Sequence, residues 1–318
     1  MRHRNLRKSP KRARAKSSKL TVGRVATPGR ATANGATSGR AAPRPAAAAK
    51  LARLERILSR CGSALIAFSG GVDSTFLLAV ARDVLGDRAV AATVAFPAVP
   101  AAEVKEARAL ARRIGARHVV VKADELLDLE GFAGNPPDRC YHCKKAILSK
   151  LGAVARRRGL ACIIEASNTD DAGDYRPGRR AVRELGARSP LVEAGISKKD
   201  VRELSRARGL PTWSKPSAAC LASRIPYGER ITRARLSRIE KGEAVLAAAG
   251  FSPARLRDHG GVARIEVPPE EMPRLLGAGL RRRIAQKLKA LGFRYAAADL
   301  EGYRSGSMNE TLRGKRRR

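Results

Sequence analysis

Residues 69–75, SGGVDST, place two glycines, a carboxylate and three hydroxyls directly behind the apolar run ALIAF. Gly70 and Gly71 let a backbone turn sharply and approach an anion closely. Ser69, Ser74 and Thr75 bring hydroxyl donors, and a helix starting here would aim its N-terminal amides at the same point. Those ingredients make a phosphate cradle. The lysine pattern GxxxxGK[ST] of the Walker loop is missing, so the cradle is of another kind. The second chemically able group is sulfur: Cys61, Cys140, Cys143, Cys162 and Cys220. An odd count without a signal peptide fits a reducing compartment, and metal or sulfur chemistry, better than a disulfide framework. A cytoplasmic protein is therefore expected. Cys140 and Cys143, spaced CxxC in DRCYHCKKAI, could form half a zinc site, a redox pair or two ligands of an iron–sulfur cluster. Cys61, ahead of the first strand pattern, and Cys162, inside an apolar run, read as core or near-surface thiols.

These groups need a rigid support, and the surrounding pattern supplies one. Residues 63–68, 89–96, 117–123 and 161–167 are short, apolar and rich in β-branched side chains, while 74–85, 101–114 and 144–158 carry helical patterns. Continuous apolar strands separated by helices predict an α/β fold, a doubly wound parallel sheet covered on both faces. Ligands of such sheets bind at the carboxyl ends of the strands, where SGGVDST falls. Asn168, Asp170, Asp171 and Asp174 follow the fourth strand and either flank the phosphate ligand or form an Asx-rich loop capping the next element. Further on, a helix near 232–249, strands at ARIEV and RYAAADL and helical segments between 269 and 291 predict a second, smaller α/β domain.

The net charge of +36 over 318 residues would suggest a nucleic-acid partner if it were spread over a folded face. It is not spread evenly. Residues 1–46 contain no acidic residue and almost nothing large and apolar, so burial cannot offset their ordering entropy and a disordered basic tail is expected; residues 311–318 are a second one. Nucleic acid is expected to be touched only non-specifically, through these tails. No apolar run approaches the roughly 20 residues of a membrane span, so no membrane partner is expected. The body divides into a nucleotide-binding domain at 47–214 and a substrate domain at 215–310.

The glycine loop resembles the SGGxDS loop of the PP-loop pyrophosphatases, adenine nucleotide alpha hydrolase-like proteins that hold ATP and release pyrophosphate while adenylating a carboxylate or carbonyl. That resemblance implies ATP held by Ser69, Gly70, Gly71, Asp73, Ser74 and Thr75, with Asp73 helping to hold Mg2+. Three further stretches are narrower: KPSAACLASRIPYGE (215–229), EASNTDDAGDYRPG (165–178) and DRCYHCKKAI (138–147). They resemble the LarE family of ATP-dependent sulfur transferases, and the likeness runs through RLRDHGGVARIEV to DLEGYRSGSMN, from about residue 47 to 309. The family resemblance implies adenylation of a carboxylate of pyridinium-3,5-biscarboxylic acid mononucleotide. Sulfur then displaces AMP to give a thiocarboxylate, a step in making the nickel-pincer nucleotide cofactor. It puts Cys220 in the sulfur-bearing position. Members either sacrifice that cysteine's sulfur, leaving dehydroalanine, or hold a [4Fe-4S] cluster on three cysteines; Cys140 and Cys143 with Cys220 favour the cluster.

Because the implied substrate carries a phosphate, cations are expected near Cys220: Arg224, with Ser223 beside it, and Arg255 and Arg257, which alternate along RLRDH and share a face if that stretch is extended. Glu243 and Glu266 correspond to acidic positions the family uses near this pocket. A homo-oligomer is expected, of a size the sequence does not specify. The rival reading is a PP-loop enzyme that thiolates tRNA, or another RNA-binding enzyme, which would explain the charge more directly. Against it stand the 4% aromatic content, the lack of an RNP-like aromatic run and the concentration of charge in the ends.

Overall fold

The first sheet is built from four short apolar strands, each followed by helical structure. The computed structural model describes residues 43–172, 177–216, 219–304, 306–307 and 310. In chain order its first part comprises α1 (Pro45–Ser59), β1 (Ala64–Ala67), α2 (Val72–Leu85), β2 (Ala89–Ala95), α3 (Ala101–Ile114), β3 (Arg117–Lys122), α4 (Glu130–Ala133), α5 (Arg139–Arg157) and β4 (Cys162–Ile164), then α6 (Gly178–Glu184), α7 (Pro190–Glu193) and α8 (Lys198–Ala207). The strands are parallel in the order β3-β2-β1-β4. Successive side chains point to opposite faces. Ala64 and Ile66 join an apolar cluster with Leu54 of α1, Phe76 of α2, Ala107 of α3 and Leu204 of α8. Leu65 turns the other way, toward Leu151 and Val154 of α5. Both faces are thus covered by helices, as the continuous apolar strands require.

The chain moves outward from β1 to β2 and β3, then crosses back to place β4 on the far side of β1. That reversal opens a crevice at the carboxyl ends of β1 and β4. The two loops leaving those ends are SGGVDST and EASNTDD.

The second sheet follows α9 (Arg233–Ala248): β5 (Arg255–His259), β6 (Val262–Glu266), α10 (Met272–Leu276), α11 (Ala278–Ala290) and β7 (Tyr295–Ala298), in the order β5-β6-β7. Gly260 and Gly261, both at positive φ, make the two-residue hairpin between antiparallel β5 and β6, a turn that asks for positive φ at both positions. α10 and α11 form the crossover that makes β7 parallel to β6. Both sheets lie within one compact unit, residues 40–318. One apolar cluster runs from Val94 and Phe96 through Leu221, Ala222 and Ile225 to Leu256 and Ile265, crossing the expected boundary between 214 and 215.

Two helices, α2 and α5, begin earlier than their sequence patterns indicate, and α1 lies outside the segments read as helical. α1 starts at Pro45 and takes in the last residues assigned to the basic tail; residues 1–42 and 311–318 lie outside the described residues. α2 starts at Val72 rather than 74. α5 starts at Arg139 rather than 144, which puts both cysteines of the CxxC pair on a helix. Among the described residues no helix is long and apolar enough to cross a membrane.

Candidate active site

SGGVDST is the turn between β1 and α2 together with the first helical turn. Gly70 has φ +71°, and a Cβ there would lie 3.3 Å from Cα and Cβ of Ala107 on α3, so conformation and close approach both call for glycine. The hydroxyls of Ser69 and Ser74 lie 3.1 Å apart; Gly71 N donates to Ser69 Oγ (3.3 Å) and Ser74 Oγ donates to the Gly71 carbonyl (3.2 Å). A phosphate seated here would meet hydroxyls and helix amides together. Asp73 accepts hydrogen bonds from Lys198 and from Asn168 Nδ2 (3.2 Å). Asn168 is itself fixed: its amide donates to Asp171 (3.0 Å), its Oδ1 accepts from the Asp170 amide (3.0 Å), and Asp170 accepts from the Lys198 amide at the start of α8 (3.0 Å). The Asx loop therefore caps and positions at once. Asp174 lies outside the described residues.

The loop forms one wall of a cavity of about 410 Å³. Ser69, Gly71, Asp73 and Ser74 line it from the loop side, and Cys140, Cys143 and Cys220 line it from the other. Gly70 and Thr75 do not reach it; Thr75 is buried, and its hydroxyl has no partner among the described residues. Cys140 and Cys143 sit three apart at the start of α5, hence on one face, where the helix N-terminus favours anionic sulfur. Cys220 opens a short 3₁₀ turn, Leu221–Arg224. Leu221 N donates to the Ala98 carbonyl (2.9 Å), and the Cys220 carbonyl accepts from Ser223 Oγ (2.8 Å) and Arg224 Nη1 (3.2 Å). The sulfur-bearing loop is thus pinned through its backbone.

Burial pushes the Cys143 thiol well above its ordinary acidity range, and the neighbouring sulfurs of Cys220 and Cys140 push it further. A cation shared by the three sulfurs would offset their mutual repulsion. As the residues stand, no group of three or more His, Cys, Asp or Glu among those described is gathered closely enough to hold a metal ion. None of the five cysteines is in a disulfide.

The arginines expected at the substrate phosphate do not line this cavity. Arg224 is buried, pairs with both oxygens of Glu243 (2.9 and 3.1 Å) and donates to the Ala219 carbonyl (2.8 Å). Arg257 is buried too, engaged by both oxygens of Glu266, the Ser223 carbonyl (2.9 Å) and Ser307 Oγ (2.7 Å). Ser223 thus sits between the two guanidinium groups, bonding one through its hydroxyl and the other through its carbonyl. Arg255 is on β5 as expected, with its guanidinium 5.2 Å from the Tyr303 ring. Lys215, Arg224 and Arg255 all act on Glu103 of α3: burial raises that carboxyl, and the three cations oppose the rise. Lys215 also reaches the Gly70 carbonyl (3.2 Å) and Glu106 (2.7 Å).

Three cavity residues had no role in the sequence reading. Glu165, at the end of β4, is buried and accepts from Lys144, Ser167 Oγ (2.8 Å) and Ser189 Oγ. Burial opposes its charge, but Lys144 and the two hydroxyls outweigh it and hold the carboxyl below the usual range. Lys144 stands one helical step from Cys143. Arg139 is buried at the foot of α5; it donates to Asn135 Oδ1 (2.9 Å) and lies 4.6 Å from the centre of the Tyr227 ring, while its Nε has no partner among the described residues. Asn135 Nδ2 in turn donates to the carbonyls of Ile225 and Pro226, which locks IPYG against α5. Pro136-Pro137 followed by Asp138 was the available signal, since prolines and an Asp just upstream mark a helix start.

A strand–glycine loop–helix turn at the switch point of a parallel sheet defines a PP-loop ATP-binding protein, and comparison with known proteins agrees. A family model described as asparagine synthase matches residues 61–139. The chain is 42% identical to an uncharacterized protein of Synechocystis sp., over 83% of this chain and 98% of that one. It is 39% identical to the pyridinium-3,5-bisthiocarboxylic acid mononucleotide synthase of Lactiplantibacillus plantarum, over 83% and 95%. A more distant relative is the glutamine-hydrolyzing GMP synthase of Aeropyrum pernix, 28% identical over 61% of this chain and 41% of its own. The chain belongs to the LarE family.

Proposed function

We propose that this chain is an ATP-dependent sulfur transferase that adenylates a carboxylate of pyridinium-3,5-biscarboxylic acid mononucleotide and replaces the adenylate with sulfur. The observation that carries the reading is one cavity with the phosphate loop on one wall and three cysteines on the other. The L. plantarum relative, a pyridinium-3,5-bisthiocarboxylic acid mononucleotide synthase, supports the same substrate class.

The hydroxyls of Ser69 and Ser74 and the amides at the start of α2 hold the phosphates, and Asp73 takes part in holding Mg2+. A substrate carboxylate oxygen attacks the α-phosphorus, the bond to pyrophosphate breaks, and an acyl-adenylate remains. A sulfur nucleophile then attacks the acyl carbon and AMP leaves with the C–O bonding pair. A cluster held by Cys140, Cys143 and Cys220 would supply a sulfide as that nucleophile. Lys144 and Arg139 place positive charge beside the cysteines, where anionic sulfur and the departing phosphate both gain from it. Walls formed by α5 and the 220 loop keep water from an adenylate that hydrolysis would waste.

Incubation with Mg2+, ATP and the pyridinium mononucleotide should release pyrophosphate and AMP and give a product heavier by the exchange of oxygen for sulfur. Asp73→Ala should suppress pyrophosphate release by at least tenfold. Release of ADP and orthophosphate would overturn the assignment.

A further inference from the structure

A second cavity, of about 670 Å³, lies against the C-terminal half of α1, away from the glycine loop. Arg53, Arg56 and Arg60 line it from α1, and Arg188 lines it with Glu193 from the segment beyond β4. Four guanidinium groups thus share one concavity with a single carboxylate. Arg188 is held in place: its guanidinium bonds Glu193 and donates to Cys61 Sγ (3.3 Å). Glu193 is thereby committed to Arg188. The three α1 arginines have no ion-pair partner among the described residues.

Arg53, Arg56 and Arg60 recur at i, i+3 and i+7, which puts them on one helix face, and like charges so placed repel one another. The carboxylate of α1 itself, Glu55, points elsewhere, to Arg208 (3.6 Å). The negative C-terminal end of α1 favours Arg56 and Arg60, and an anion bridging the three side chains would offset their mutual repulsion further. Guanidinium forks match phosphate oxygens in geometry as well as charge. The three arginines span about 10 Å of helix at 1.5 Å per residue, longer than one phosphate and suited to a short run of them. The cavity is bounded on its far side by the fixed Arg188–Glu193 pair, which favours a compact ligand over a polymer running through.

We propose that this arginine-lined cavity is a binding site for a small oligophosphate, of the class of pyrophosphate, tripolyphosphate or a nucleoside triphosphate's phosphate chain. It is separate from the loop that holds ATP. The Cys61 thiol, which accepts from Arg188 (3.3 Å), takes no covalent part: burial and the adjacent Cys162 raise its pKa to about 11, which keeps it protonated near neutral pH.

The test uses the full chain at physiological ionic strength, with phosphate binding at the glycine loop disabled by Ser69→Ala/Ser74→Ala, and titrates tripolyphosphate by calorimetry. One site per chain is expected. Arg53→Gln and Arg56→Gln should each weaken it about tenfold, and Arg53→Gln/Arg56→Gln/Arg60→Gln should abolish it. These are exposed side chains, so circular dichroism should be unchanged. Arg4→Gln/Arg7→Gln/Arg12→Gln, the same charge removed from the basic tail, should leave the site intact. Unchanged binding in the α1 triple variant, or equal loss in the tail variant, would overturn the proposal. So would displacement of tripolyphosphate by a 12-nucleotide RNA at lower concentration than by tripolyphosphate itself, which would assign the arginines to a nucleic-acid surface.

Discussion

Arg255 and Arg257 differ by two positions and share a strand face, yet their surroundings set them to different work. Arg257 and Glu266 are both buried and joined at two points. Removing one partner of a buried pair strands the other charge, so Arg257→Ala should cost about 3 kcal/mol, read as a lower urea midpoint at unchanged slope. Arg264, 3.0 Å from the same carboxylate, softens the loss without replacing the second contact. Arg255 is only partly buried, and its guanidinium donates to the Ala254 carbonyl (2.8 Å). Arg255→Ala should therefore change stability by no more than about 0.5 kcal/mol. If this guanidinium takes the substrate phosphate alongside Lys215, affinity for the pyridinium mononucleotide should fall roughly tenfold or more. A stable, fully active Arg257→Ala would show that the ion pair is dispensable.

At the scale of elements, α5, the 220 loop and the phosphate loop line one cavity, and the proposed sulfur chemistry depends on that meeting. Anaerobic reconstitution with iron and sulfide should give the broad visible absorption of a cluster. Cys140→Ala, Cys143→Ala and Cys220→Ala should each abolish it, while Cys61→Ala and Cys162→Ala should not. A dehydroalanine at 220 with no iron bound, and one sulfur delivered per chain, would instead assign the sulfur to Cys220 itself. The strands and the loop were legible in sequence because apolar runs and a glycine turn are local signals. The start of α5 was less so: its apolar periodicity sets in only after Lys144, and the earlier turn carries Arg139, Cys140 and Cys143, which face the cavity. The partnership of Arg224 with Glu243, 19 positions on, and of Glu165 with Lys144 and Ser189 has no local signal at all. Charged residues in so basic a chain look alike until folding buries some of them. The family resemblance named Cys220, but only the folded chain explains how Ser223 and Arg224 hold it.

For the molecule as a whole, a clamp fixes the first described helix. Arg44 donates from its backbone and Nε to Glu203 (both 2.7 Å) and from Nη2 to Asp200 (3.0 Å), and Lys50 donates to Asp200 (2.6 Å). Asp200 is also the carboxylate of the capping box that starts α8, so one side chain fixes both α1 and α8. Burial works against its charge, but Lys50 and Ser197 overcome that and lower its pKa from 3.8 to about 2. A carboxyl whose folded pKa is depressed stabilises the fold above its unfolded value, and that contribution disappears as pH falls through the folded one. The clamp should therefore act fully above pH 3.8 and be lost as pH falls from 3.8 toward 2. Urea unfolding of the full chain should show this as a falling midpoint over that window. Asp200→Asn should lower the midpoint at pH 7 and flatten that part of the acid-side decline. The same clamp dictates where the basic tail can be cut. A chain starting at residue 43 keeps Arg44 and should match the full chain at pH 7, whereas one starting at 47 loses Arg44 and the first turn of α1 and should unfold at lower urea. Equal midpoints for the two truncations would mean that α1 is held by its apolar face through Leu54 and Leu58 alone, with the ion pairs contributing nothing measurable.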